Sequence, residues 1–256
     1  MAAFGLRNQR GSCWVNATLQ ALFRIDSLQK RFTNNEADPN CAVEQCMEEI
    51  WNSEGDEGLK GFYECVKTGT MPAGDDIGDS HELLEFLCDK IKFLDNLLRF
   101  KVANRISCNH CSYSENKPDS LIYMTITPTE YRQSVSDAIV QAVKPSEIEE
   151  WKCDKCKELG CTQQFLIGTF PDILTFHINQ SESGITYSSV LVVNKIRYAL
   201  TSVVCFNGGH WWTYGRNMPP GQPWMEFNDI FVQRHDPQSF PVSQYARLLM
   251  YSRLNE

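Results

Sequence analysis

Hydrophobic positions along this chain change their period once, near residue 100. Over the first stretch, Val15, Leu19, Leu22 and Phe23 recur at helical spacing, with Asn16, Thr18 and Gln20 between them. Ser12 predicts an N-cap, which puts Cys13 on the first turn of that helix. Asn34–Asn40 is a polar loop, and helical patterns follow over Cys41–Trp51 and Gly58–Val66, separated by NSEGDEG. Thr68–Gly78 is rich in helix breakers. After it, Asp79–Leu98 predicts one long helix whose apolar side carries Leu83, Leu84, Phe86, Leu87, Ile91, Phe93 and Leu97.

From Phe100 the pattern turns towards β. FKVANRISC and LIYMTITP are short runs of β-branched and aromatic residues, and a helix is predicted over Val135–Val143, before Lys144-Pro145. FLIGTF, DILTFHIN, SSVLVVN, RYALTSVVCFN, WMEFND and ARLLMYSRL then predict strands divided by turn chemistry. No internal repeat, low-complexity tract or interdomain linker interrupts them. A helix-rich front and a β-rich back predict an α+β fold, and 256 residues allow one large domain or two small ones.

Composition narrows the classes. Hydrophobic content of 42% and charged content of 22% are those of an ordinary soluble protein. No segment has the apolar length of a membrane span, and MAAFGLRNQR lacks the apolar core of a secretory signal. The 11 cysteines are therefore expected as reduced thiols and metal ligands, in the cytoplasm, the nucleus or both. The net charge is 24 − 32 = −8, which disfavours nucleic acid and is compatible with a basic ligand.

Three groups carry candidate chemistry. Cys13 at a helix start meets unpaired N–H groups and the positive end of the macrodipole, which favour a thiolate nucleophile. Far downstream, Gly208-Gly209-His210 follows a predicted strand, and two glycines let a substrate backbone pass close to the imidazole. Asn228 and Asp229 could each accept a hydrogen bond from that ring. Cys, His and an Asn or Asp are the parts of a cysteine-protease triad. Separately, Cys108, Cys111, Cys153 and Cys156 form two CxxC pairs with 41 residues between them. Four thiolates suit a closed, structural Zn2+ site, with His110 and Cys161 as nearby competitors for a ligand position.

The chain resembles the ubiquitin-specific proteases. NQRGSCWVNATLQAL is similar to their Cys box, IGDSHELLEFL to the intervening acidic box, and GGHWWTYG…WMEFND to the His box. The paired CxxC knuckles match their zinc-bearing fingers, and the landmarks come in the family's order over essentially the whole chain. The resemblance implies a single catalytic domain over 1–256 with a papain-like fold shaped as a hand: a helical thumb over 1–100, fingers over 101–166 and a β-rich palm over 167–256. It implies Cys13 as nucleophile, His210 as base and Asn228 as orienter, with Asp229 in reserve. Asn8 matches the amide that supports the oxyanion hole. Asp79 and Glu82 match acids that engage the arginines of ubiquitin's C-terminal tail, and Gly208, Gly209 and Trp211 would form a narrow channel for Gly-Gly. The implied reaction is hydrolysis of (iso)peptide bonds after that Gly-Gly through a thioester. The partners are ubiquitin or a related modifier and its conjugates, acting on a monomer with no organic cofactor, no nucleic acid and no membrane.

The sequence departs from the family pattern at Arg10, Trp14, Ile77, Gly78, Trp211 and His177-Ile178-Asn179-Gln180. None of these changes removes a reacting group. Competing readings are the same fold acting on another modifier, a catalytically silent ubiquitin-binding scaffold, and a zinc-ribbon interaction module.

Overall fold

The computed structural model describes residues 3–9, 11–55, 57–68, 78–129, 131–179, 184–218, 222–235 and 243–254. Arg10, Ile77, Gln180 and most of the breaker-rich tract lie outside them. The front of the chain is helical: α1 (Cys13–Leu22), α2 (Asp26–Thr33), α3 (Ala42–Asn52), α4 (Leu59–Thr68), α5 (Ser80–Lys90) and α6 (Lys92–Leu98). The predicted helix over Asp79–Leu98 is thus two. Ile91 is extended, with φ −106° and ψ 97°, and serves as C-cap of α5 and N-cap of α6. That turn re-aims the second segment so that Leu94, Leu97 and Leu98 join the same core as Leu83 and Leu87.

Strands follow: β1 (Phe100–Cys108), β2 (Ser114–Leu121), β3 (Met124–Ile126) and β4 (Gln133–Ser134). After α7 (Val135–Ala142) come β5 (Ser146–Lys152), β6 (Leu159–Ile167), β7 (Ile173–Ile178), β8 (Ile185–Thr186) and β9 (Val190–Val193). The last are β10 (Ile196–Phe206), β11 (Trp211–Gly215), β12 (Trp224–Asn228), β13 (Phe231–His235) and β14 (Ala246–Arg253). β2, β1, β6 and β5 form an antiparallel sheet in that order. A larger sheet runs β13-β12-β11-β10-β14-β7-β3, with β9 also on β10. The α+β expectation holds.

The large sheet separates two cores. On one face α1 to α6 bury Leu19, Phe23, Phe62 and Leu83 against Val204 and Trp211. On the other, Phe100, Phe176, Tyr198 and Tyr251 pack with α7. β10 serves both, because successive strand residues face opposite sides. Phe100 and Val102 join one end of the smaller sheet to that second core, while Ile106, Cys108, Cys153 and Cys161 form a separate small cluster at its tip.

All ten residues of α1 are buried. A helix buried all round must find partners for its polar groups inside the protein. The segment before it supplies some: Gln20 donates to the Phe4 carbonyl at 2.8 Å, and Asn16 to the Leu6 carbonyl at 3.2 Å. The sheet supplies others, with Thr213 donating to the Ala17 carbonyl at 2.7 Å and Ser202 to the Ala21 carbonyl at 3.0 Å.

The N-terminal segment also runs tightly along the β12–β13 turn. The Leu6 N–H donates to the Asp229 carbonyl at 2.9 Å, and a Cβ on Gly5 would lie 2.2 Å from the Ile230 carbonyl oxygen. Main chain on both sides leaves no soft atom to give way. Gly5→Ala is expected to cost about 1–3 kcal/mol of stability, of the order of overpacking in a filled interior. Urea melts of the variant beside the parent chain measure it; an unchanged midpoint would contradict the close approach.

Candidate active site and cysteine cage

Cys13 opens α1 and is 3% exposed. Ser12 holds the N-cap position, but its side chain makes no cap hydrogen bond. Its hydroxyl instead accepts from the Gln9 N–H at 2.8 Å, bracing the turn that leads into the helix. The expected thiolate is not the resting form. Burial raises the Cys13 thiol above its ordinary pKa, main-chain hydrogen bonding from Trp211 pulls it down, and the Asp229 charge pushes it up again. Dehydration outweighs the helix end.

His210 lies between β10 and β11. Asn207 Oδ1 accepts from the Gly209 and His210 N–H groups at 3.2 and 3.0 Å, shaping the loop. Gly208 has φ +97°, where glycine is favoured, and a Cβ on either glycine would meet nothing within 4 Å. His210 Nε2 is 2.8 Å from Asn228 Oδ1. Because that oxygen can only accept, Nε2 carries the proton and Nδ1 is left as the base. Trp212 lies parallel to the ring, with centroids 6.4 Å apart.

Asp229 takes a different place from the one held in reserve for it. Its carboxylate accepts from Asn8 Nδ2 at 2.9 Å and Asn16 Nδ2 at 2.8 Å, whereas His210 Nε2 is 3.9 Å away. Asn8 Oδ1 in turn accepts from the Ser12 N–H at 3.1 Å, and Tyr63 donates to Asn16 Oδ1 at 3.0 Å. Asp229 sits at φ +52°, an uncommon conformation for a residue with a Cβ, which this network holds in place. The sequence marks Asn16 only as a polar position of α1 and gives Tyr63 and Asn207 no motif. Only their polarity inside apolar or strand-flanking patterns marked them.

The other candidates divide. Asp79 caps α5 by accepting from the His81 N–H, and its carboxylate pairs with the His81 ring at 2.6 Å; Glu82 is exposed on the first turn. Trp211 contributes no channel wall from its side chain. The indole is 3% exposed and stacks on Phe206 with centroids 4.5 Å apart.

Cys108 and Cys111 lie at the β1–β2 turn, and Cys153 and Cys156 between β5 and β6. Their four sulfurs lie within 4.8 Å of one another, with Cys108–Cys156 at 3.6 Å and Cys111–Cys153 at 3.8 Å. Tetrahedral thiolates at the usual zinc–sulfur distance stand about 3.8 Å apart. The cage therefore has the size and donors to hold a metal ion. Neither competitor joins it: His110 Nε2 lies 2.8 Å from the Leu159 carbonyl, and Cys161 is buried opposite Cys108 on β6.

Helical and β layers around a buried helix-opening cysteine, with an imidazole–amide pair on the facing sheet, define the papain-like class. A family model described as ubiquitin carboxyl-terminal hydrolase matches residues 4–251. The chain belongs to that family. It is 22% identical to ubiquitin carboxyl-terminal hydrolase 42 from Homo sapiens, over 98% of this chain and 23% of that protein. It is 21% identical to probable ubiquitin carboxyl-terminal hydrolase 16 from Schizosaccharomyces pombe, over 97% of this chain and 66% of the relative. It thus spans about a quarter and just under two thirds of the lengths of these relatives. Among solved structures, the SAGA DUB module with Ubp8, Sgf11, Sus1 and Sgf73 bound to monoubiquitin aligns at TM-score 0.84. That match has 17% identity and covers 99% of this chain and 70% of the other. The same module bound to ubiquitin aldehyde aligns at 0.83 with 16% identity, over 99% and 70%. This likeness establishes the fold.

Chain prepared without chelator is expected to hold one zinc ion, and Cys111→Ser to lose it. Elemental analysis reads the stoichiometry; full loading of the variant would exclude the four-sulfur site.

Proposed function

We propose that this chain is a deubiquitinating cysteine protease that hydrolyses the (iso)peptide bond after the C-terminal Gly-Gly of ubiquitin. The observation that carries this reading is the 2.8 Å His210–Asn228 contact beside the buried Cys13 of a family member. Ubiquitin as the modifier is supported by the names of the relatives and by ubiquitin bound to Ubp8.

With the Cys13 thiol neutral at rest, activation begins with proton transfer to His210 Nδ1 as the substrate carbonyl is attacked. Asn228 fixes the tautomer that makes Nδ1 the base. The Cys13 N–H and the Asn8 amide would hold the oxyanion, a donor of this kind contributing about 3 kcal/mol to the transition state. Asn8 Nδ2 gives one N–H to Asp229 Oδ2, which fixes the amide, and its second N–H is the donor this role needs. His210 then protonates the departing amine and activates water against the thioester.

The glycines before His210 leave room for a Gly-Gly backbone, while Asp79 and Glu82 offer carboxylates to a cationic tail. Zn2+ in the cysteine cage would tie the finger strands together and, with four thiolates, take no part in chemistry. Thumb, fingers and palm over 1–100, 101–166 and 167–256, a monomeric state and a cytoplasmic or nuclear location complete the reading. A silent ubiquitin-binding scaffold is the second reading, favoured by the raised Cys13 thiol.

Ubiquitin carrying a C-terminal thiol-reactive electrophile is expected to form an adduct that Cys13→Ala abolishes. A folded, metal-loaded chain giving no adduct would favour the scaffold; labelling only by another modifier would change the substrate. Given activity, Asn228→Ala is expected to lower kcat about 10²-fold, the lower range for general base catalysis. Turnover retained by that variant and lost by Asp229→Ala would reverse the orienter assignment.

A further inference from the structure

Away from the reacting groups, ionisable side chains cluster where the start of α5 meets β7. The Asp79 carboxylate accepts from the His81 N–H at 2.9 Å and pairs with His81 Nδ1 at 2.6 Å. The His81 ring lies flat on the ring of His177, with centroids 4.1 Å apart and planes 15° from parallel. Tyr123, in the β2–β3 connection, stands edge-on to both rings and hydrogen-bonds Glu85. The charged groups facing the pair are Asp79, Glu82 and Glu85 from α5 and Arg247 from β14.

Two imidazolium rings at this separation repel each other, so the stack readily holds one proton and resists a second. The surroundings decide which ring takes it. Hydrogen bonding to Asp79 raises the pKa of His81, and Glu82 and Glu85 reinforce the shift. Burial, then the His81 charge, lowers His177 to about 4. An imidazolium on a neutral ring is a favourable cation–π arrangement, so the pair remains stacked with its single proton.

We propose that the His81–His177 stack determines how strongly the site holds a cationic substrate tail. A proton on His81 neutralises Asp79 and weakens its attraction for that tail, and His177 confines the stack to the one proton. The proposal rests on the reading that Asp79 meets a basic tail. Its sign follows: acidification protonates His81 and weakens binding, and a rise in pH through the His81 transition frees the Asp79 charge and tightens it. The geometry makes His81 a competitor of the substrate for one carboxylate.

Binding separates this idea from catalysis. The full chain carrying Cys13→Ala would be titrated with ubiquitin at pH 6.0 and 8.0. Affinity is expected to be about two- to fivefold higher at pH 8.0, the range of a partly exposed charge interaction. Adding His81→Gln keeps a neutral hydrogen-bonding side chain and should flatten that ratio; titrations within ubiquitin or the cysteine cage are common to both chains and cancel. An unflattened ratio would overturn the proposal while leaving ubiquitin binding intact. Failure to bind at either pH would sink the substrate reading and the proposal with it. Imidazole NMR of the free chain supplies a readout that needs no ligand: His81 should titrate well above His177, and in His81→Gln the His177 transition should move up, because the charge that depresses it is gone. Two rings titrating together near the ordinary value would refute the shared proton.

Discussion

Burial of α1 on every side is the constraint from which the rest of the site follows. A surface helix can leave its polar face to water, but this one must satisfy Asn16 and Gln20 within the protein, and its Ala17 and Ala21 carbonyls accept from side chains of the sheet. The partners come from two directions. The N-terminal segment is drawn across the helix, and hydroxyls from β10 and β11 lock the sheet against it. Cys13 and His210 therefore belong to elements whose relative position is set by hydrogen bonds in a dry interface, where a lost partner leaves an unsatisfied group costing about 1–3 kcal/mol.

The same burial sets the electrostatics. A helix start alone would favour the thiolate, yet a sulfur this dehydrated, with the Asp229 charge nearby, keeps its proton. Asp229 links the two halves of the site while its carboxylate stays 3.9 Å from the imidazole, beyond hydrogen-bond distance. It holds Asn8 and Asn16 on the helical side through its carboxylate, while its neighbour Asn228 receives His210. Adjacent residues at the end of one strand thus face different tasks, because the turn at φ +52° points them apart.

Much of this was legible in the sequence wherever burial imposes a period. The helix opened by Cys13, the strands RYALTSVVCFN and ARLLMYSRL, and the CxxC pairs were visible because apolar spacing or ligand spacing carries the signal. β2 and β5 were not. Both are edge strands whose own residues are exposed or half-buried, so SENKPDSL and SEIEEWK need no apolar alternation, and Pro118 is tolerated because an edge leaves its missing N–H unneeded. The break at Ile91 was hidden for the opposite reason: an apolar residue continues the helical stripe whether the backbone coils or extends. Asn228 and Asp229 could not be ranked from sequence, since both are acceptors and only the turn decides which meets the ring. The Asn8 amide anchored on Asp229 and the buried Trp211 indole are likewise consequences of packing that no motif records.

The two sheets are held together by different kinds of cohesion. Around the large sheet, stability comes from apolar surface withdrawn from water, a force that weakens on cooling. At the tip of the small sheet the buried cluster is one isoleucine and three cysteines, and four sulfurs there are spaced for coordination. With a metal in that cage, the tip would answer to ligand chemistry and proton concentration, the body to temperature and solvent. One continuous chain would thus contain two structural units sensitive to different insults, and the tip could loosen while the helix that presents Cys13 stayed packed.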